Sequence, residues 1–321
     1  MSLFRFELRK LLLGKKNLLL LLCLLILYSV VGLTSTMFLI GGNGSYRAYE
    51  ELAADREGPF DSEKAADAEK TYQEVSNRYG TDTRMIARSV KDQPEIILAV
   101  NYHAYAERVK EYGNGTPPEF ANILLWENLF NNWGEHMMQF LLFVPLTFVI
   151  APVFAVERSS GMDNLILSSR NGRRKIVTAK LLSALAASTV VVMLYLAATF
   201  LLGFLPHRSF HGWDAAIQSI PAYARSMFQF KVWQLAAVGA VWLIFTSAVY
   251  SLIICFISSR MKSQMGAAGV SLAILFVNVG LAAMGDTVTQ RFGALVDFGL
   301  ANVTLMKEVF GGCKAFNVFG M

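Results

Sequence analysis

Five uninterrupted apolar runs decide what this 321-residue chain can fold into. They cover Asn17–Ile40, Met137–Val156, Leu181–Leu205, Val232–Ile257 and Met265–Gly285. Each supplies the ~20 residues that a helix needs to cross a hydrocarbon layer ~30 Å thick. The apolar residues are blocked rather than spaced at the period of a half-buried surface helix. In lipid every backbone polar group must be satisfied within the segment, so these runs predict helices. Composition agrees: 17% of residues are charged, where a soluble domain carries about a quarter. The expected fold class is an all-α polytopic membrane protein with five visible transmembrane helices and a helical extracellular domain.

The first run is preceded by FRFELRKLLLGKK, which gives it the look of a secretion signal. Its apolar core is longer than the 7–15 residues of a signal sequence, and no small-x-small cleavage site follows, so it is read as a span. The basic residues then set orientation. Arg5, Arg9, Lys10, Lys15 and Lys16 precede the first span, six Lys and Arg lie within 156–180, and Arg260 and Lys262 fall between the fourth and fifth spans. If all five spans cross, these regions share one side, which the positive-inside rule makes cytoplasmic. The segment 41–136 holds 17 of the 24 acidic residues and falls outside. Loop 206–231, with Arg208, Arg225 and Lys231 against Asp214, disagrees mildly and is outvoted.

The predicted layout is an amphipathic cytoplasmic helix (1–16), a span (17–40), an extracellular helical domain (41–136), and a second span (137–156). A cytoplasmic loop (157–180), a third span (181–205), an extracellular loop (206–231) and a fourth span (232–257) follow. A cytoplasmic loop (258–264), a fifth span (265–285) and an extracellular tail (286–321) complete it. In the first helix Phe4, Leu8, Leu11 and Leu12 share one face while Arg5 and Arg9 point away. The alternative is a plain charged flank. In the 41–136 domain, 61–80 and 94–113 read as helices, the second with a stripe of Ile96, Ile97, Val100, Ala104 and Val109. Trp126 and Trp133 stand where an aromatic membrane belt is expected. Pro145 and Pro152 kink the second span. The tail contains no run long enough to cross and reads as dipping into the outer leaflet.

Much of the functional argument lies in missing chemistry. There is no G-x-x-x-x-G-K-[ST] phosphate loop, no H-E-x-x-H and no G-x-S-x-G. Cys23, Cys255 and Cys313 are far apart and suggest neither a disulfide framework nor zinc. The interiors of the five spans hold no Asp, Glu, Lys, Arg or His, which disfavours an ion-driven carrier. Asn278, the most polar side chain at depth, reads as a helix–helix hydrogen bond. The net charge of +5 belongs to the membrane borders, so anionic lipid rather than nucleic acid is the expected partner.

The loop FAVERSSGMDNLILSSRNGRRKIVTAK (154–180) is more than an anchor requires. Ser160 with Asp163 reads as a helix start, Met162, Leu165 and Ile166 as one apolar face, and Asn171-Gly172 as its end. Arg173, Arg174 and Lys175 return the chain to the headgroups. The alternative is a basic loop lying on the membrane. Glu157, Gly161, Leu165-Ile166, Ser168-Ser169, Arg173-Arg174, Ile176 and Lys180, together with the opening FRFELRKLLLGKK, resemble the permease subunits of type 2 ATP-binding-cassette (ABC) exporters. The 41–136 domain is similar to that of a bacterial subset.

The resemblance implies a non-catalytic half-transporter in a bacterial plasma membrane, with the amino terminus in the cytoplasm. ATP and Mg would sit on a partner ATPase, so this chain needs no cofactor of its own, and a second permease copy or paralogue would complete the unit. Carried over, Glu157, Gly161, Met162, Leu165, Ile166, Arg173 and Arg174 form the ATPase-coupling segment. Phe4, Arg5, Leu8, Arg9 and Leu11 form the connecting helix beside it. Six spans are expected in the family, and the tail resembles its re-entrant region before the sixth. The substrate class implied is a peptide, a lipid-linked molecule or a drug. The competing reading is a membrane sensor or immunity protein that binds an outside ligand through 41–136 without transport.

Overall fold

In the computed structural model the described residues are 3–40, 43–80, 94–111, 119–134, 136–162, 168, 172–207, 210–223, 226–283 and 299–311. Nearly all of them are helical. Helix α1 (Leu3–Leu13) meets α2 (Lys15–Ile40) at Gly14 with a bend of 52° between the pair. Gly14 suits this corner, because a Cβ there would lie 2.8 Å from the Lys10 carbonyl oxygen. The Asn17 side chain donates to the freed Leu11 carbonyl at 2.7 Å and closes the end of α1. So 1–16 and the first span are separate helices at an angle.

The domain between the first two spans comprises α3 (Asn43–Ala54), α4 (Ser62–Tyr79), α5 (Pro94–Glu111) and α6 (Leu124–Gly134). A two-residue ladder, β1 (Gly58–Pro59) antiparallel to β2 (Glu119–Phe120), ties its middle together. Asp61 caps α4 by accepting from the Lys64 N–H at 2.9 Å, and Gly80 ends it. The stripe expected on α5 is corrected. Its deeply buried positions are Ile96, Leu98, Ala99, Tyr102, Tyr105 and Ala106, whereas Val100 and Ala104 are half-buried. Tyr102 and Tyr105 pack edge-on to Phe60 and Phe120, with centroids 4.7–5.7 Å apart, and form an aromatic core without any cysteine.

The second span comprises α7 (His136–Ile150) and α8 (Pro152–Ser159), joined through Ala151, whose backbone is helical and whose N–H still bonds the Thr147 carbonyl at 2.8 Å; Pro152 interrupts the ladder beyond it. The third is α9 (Val177–His207), entered through a π turn at Gly172–Ile176. The fourth and fifth are α10 (Val232–Arg260) and α11 (Gln264–Ala283). Among the described residues four helices are long and apolar enough to cross a membrane, and five if the bent first pair is one span. Their outer faces carry bulky exposed apolar side chains, among them Leu19, Met193, Val241, Phe256 and Phe276, as a lipid-facing surface requires. The inner faces are lined by small and hydroxyl residues: Ala184, Ala187 and Ser188 on α9 and Ser247 and Ser251 on α10.

Two expectations need correction on the side of the bundle that bears this domain. Trp126 and Trp133 are not a lipid belt: both are buried, donating to the His211 carbonyl at 3.0 Å and the Thr199 hydroxyl at 3.1 Å. The exposed tryptophans there are Trp213 and Trp233. Loop 210–223 and 226–231 is folded, with 3₁₀ turns at Ile217–Ser219 and Pro221–Tyr223 that bury Ile217, Ile220 and Tyr223 completely. Asn278 bonds the Ile274 carbonyl of its own helix at 2.8 Å rather than a neighbour. In the tail, the short helix α12 (Leu300–Val303) lies against α11 and α13 (Met306–Phe310) against α6, and both touch α10 through side chains. Trp242 donates to the Val303 carbonyl at 2.7 Å, and Met306 fills a notch at Gly239, about 10 Å down α10 from its start.

Candidate functional site

At the opposite end of the bundle, α1, the close of the second span, the opening of the third and the close of the fourth converge. Helix α8 stops because Gly161 takes a left-handed conformation (φ +71°). The Met162 N–H reaches back to the Glu157 carbonyl at 3.0 Å and the Gly161 N–H to Arg158 at 3.3 Å, the paired bonds of a Schellman end. Ser160 belongs to this ending too: its hydroxyl donates to the Glu157 carbonyl at 3.0 Å. The expected role of Ser160 as the start of a new helix is therefore corrected. The glycine that ends a helix here is Gly161. Met162 emerges exposed.

Within this last turn Glu157 points inward to Lys180, Nζ to Oε1 at 2.7 Å. The Lys180 side chain is 1% exposed and that of Glu157 18%. Lys180 also donates to the Val153 carbonyl at 2.5 Å and lies 5.4 Å from the Phe154 ring centroid. Such a cation is not snorkelling to headgroups. It pins the first turn of the third span to the last turns of the second. A carboxylate, a carbonyl and a ring face together offset the cost of burying its charge.

The fourth span joins the same knot. The Ser258 hydroxyl accepts from the Phe154 and Ala155 N–H groups at 3.1 and 3.0 Å and donates to the Ala151 carbonyl at 2.6 Å. These are the orphan donors of the first turn of α8, left free because Pro152 interrupts the span. Arg158 donates to the Ser259 carbonyl one residue further on. Half-way up the bundle Thr147 bonds both the Phe143 carbonyl, at 2.7 Å, and the Tyr250 hydroxyl, at 2.9 Å. The two pieces of the second span are thus each fastened to α10.

Helix α1 lies along α9 beside this knot. Leu11 is buried, Phe4 and Leu8 are half-buried, and Arg5 and Arg9 are exposed. Glu7, which the apolar pattern did not single out, is buried with Leu11. Of the loop residues, Glu157 and Gly161 sit in the knot, Met162 on its surface, and Arg174 is exposed on the π turn. Leu165, Ile166, Asp163 and Asn171 lie outside the described residues, as does the Arg173 side chain. Lys180 and Ser258 are the residues that sequence reasoning underweighted. Lys180 was visible as the basic residue at the mouth of the third span, whereas a lone Ser258 inside an apolar run carries no signal of its own.

A family model described as ABC-2 family transporter protein matches residues 61–290, which include the second to fifth spans and every residue of the Glu157–Lys180–Ser258 knot. No curated protein and no solved structure matches the chain.

Proposed function

This chain belongs to the ABC-2 transporter family, a membrane permease component of an ABC transporter, and on that premise we propose that it is the permease half of an ATP-driven exporter. It moves a peptide, lipid-like or drug-like substrate outward, with hydrolysis on a separate ATPase chain and a second permease copy or paralogue completing the pore. The amino terminus and the 157–180 loop face the cytoplasm of a bacterial cell, and the 41–136 domain faces out.

One observation carries the reading. The two ends of the 157–180 loop are clamped to each other by Glu157 and Lys180, and to the fourth span by Ser258. A loop that only reversed the chain direction would need no buried charge at its base. A loop that receives force from a docked partner needs its ends joined to several spans at once, and this one is. Met162, Leu165, Ile166, Arg173 and Arg174 supply the docking face, with α1 as a side wall.

Co-purification with an ABC-type ATPase from the native cell tests the proposal. Charge reversal at Arg173-Arg174, or Leu165→Asp with Ile166→Asp, is expected to abolish the association while the protein still inserts. A protein that never recruits an ATPase and binds an outside ligand by itself supports the sensor reading instead. That reading draws on a cavity of about 500 Å³ between the 41–136 domain and the third loop, lined by Glu57, Glu119, Phe210, His211 and Trp213.

A further inference from the structure

The domain between the first two spans holds a group of side chains unrelated to the knot at the bundle base. Glu69 on α4 and His103 and Glu107 on α5 each bring one ligand atom within 4.8 Å of the others. His103 and Glu107 are four residues apart, hence on one helix face, and Glu69 comes from the helix packed against it. His103 Nδ1 is buried and lies 3.2 Å from Glu69 Oε2. The imidazole is held in place by Tyr72, stacked on it at 4.0 Å and 14°. A ring nitrogen already paired with one carboxylate, on an imidazole oriented by stacking and with a second carboxylate within 4.8 Å, separates this group from an ordinary solvated acidic patch.

We propose that Glu69, His103 and Glu107 form a binding site for a zinc-class divalent transition metal that ties α4 to α5. Displacements below about 1 Å per ligand atom bring the three to the ~2.0–2.2 Å of Zn–N and Zn–O bonds. One imidazole with two carboxylates suits first-row divalent ions, with water in the remaining position, whereas calcium and magnesium prefer oxygen alone. Access is open, since Glu107 is exposed and Glu69 half-buried. Tyr72 supplies the support that fixes a ligating imidazole in one orientation. Lys110 is the built-in competitor: its Nζ lies 2.5 Å from Glu107 Oε1, on the rim of the site. Metal binding draws Glu107 away from that lysine.

The test is isothermal titration of ZnCl2 into the full-length protein, free of any histidine tag, in nanodiscs. One site per chain with a micromolar or tighter Kd is expected, weakened at least about tenfold in His103→Gln and in Glu69→Gln. Binding is weaker at pH 6.0 than at pH 7.5, because imidazole must be neutral to ligate. Lys110→Gln tightens binding severalfold by releasing Glu107, and His211→Gln leaves it unchanged. With CoCl2 in place of zinc, visible absorbance of the bound ion appears in the wild type and is lost in His103→Gln. Zinc binding indifferent to His103→Gln, no binding at about 100 µM zinc, or calcium bound in preference to zinc each overturns the assignment. If His103→Gln fails to fold, Lys110→Gln decides, because it removes no ligand: unchanged affinity there counts against the site.

Discussion

Replacing Glu157 by Gln tests the clamp most directly, with Lys180→Met and the double variant completing a cycle. The paired atoms are 2.7 Å apart and the lysine is 1% exposed. At an effective dielectric of ~20 two unit charges at that distance attract by about 6 kcal/mol, much of it offset by the cost of taking both out of water. Glu157→Gln leaves the ammonium buried with only the Val153 carbonyl and the Phe154 ring for company. The expected loss is about 3–5 kcal/mol, or roughly 6–15 °C in apparent Tm for a chain of this size. Lys180→Met removes the buried cation itself and leaves a carboxylate that still reaches water, so its cost is smaller, about 1–3 kcal/mol. The double variant has no charge to bury and is expected to recover most of the Glu157→Gln loss, giving a coupling of at least about 2 kcal/mol. Thermal unfolding followed by size-exclusion chromatography in detergent measures all four proteins. If Glu157→Gln melts within about 2 °C of the wild type, or the two single effects simply add, the clamp is not an energetic unit and the argument fails.

Other consequences are open to the same assays. Ser258→Ala strands two N–H groups and a carbonyl where Pro152 interrupts the second span; a loss of about 1–3 kcal/mol is expected in thermal unfolding. Gly161→Ala is expected to cost about 1–2 kcal/mol for its left-handed backbone alone, since nothing lies within 4 Å of the added methyl, and Gly161→Asn less. A Cβ at Gly239 would meet the Met306 side chain at 2.1 Å, so Gly239→Ala is expected to destabilise by about 1–3 kcal/mol and Met306→Ala to relieve it. In the domain between the first two spans, burial away from water raises the Glu127 carboxyl above its ordinary 4.5, with the Arg108 charge opposing only in part. Its neutral form is favoured in the fold, so its contribution is present below 4.5 and is lost as pH rises through the raised value. Glu127→Gln should flatten that decline in a pH series of melting temperatures.

The spans were legible because lipid admits few answers to a long apolar run, and the observed helix ends fall within four residues of the expected ones. What escaped the sequence was partner choice. Lys180 looked like one more basic residue at a membrane border, because a snorkelling lysine and a buried one read alike until the carboxylate 23 positions earlier is placed beside it. Trp126 and Trp133 satisfied the pattern of an interfacial belt but lie under the folded 210–223 loop, whose burial no local period announces. On α5 the stripe was drawn through aliphatic residues only. Tyr102 and Tyr105, amphipathic side chains that look polar in a pattern, took the core instead.

The second span gives these details a common sense. Of its two prolines, Pro145 lies inside α7, and Pro152 interrupts the backbone ladder although Ala151 keeps a helical conformation and donates to the Thr147 carbonyl at 2.8 Å. A regular helix would carry a push at its inner end along its own hydrogen bonds to the far side. Here the inner piece, 152–159, takes its first-turn bonds from Ser258 of the fourth span and is pinned through Glu157 and Val153 to Lys180 of the third. The outer piece meets the fourth span separately, through Thr147 and Tyr250. The base of the 157–180 loop is therefore tied to both the third and the fourth span within two turns of α8.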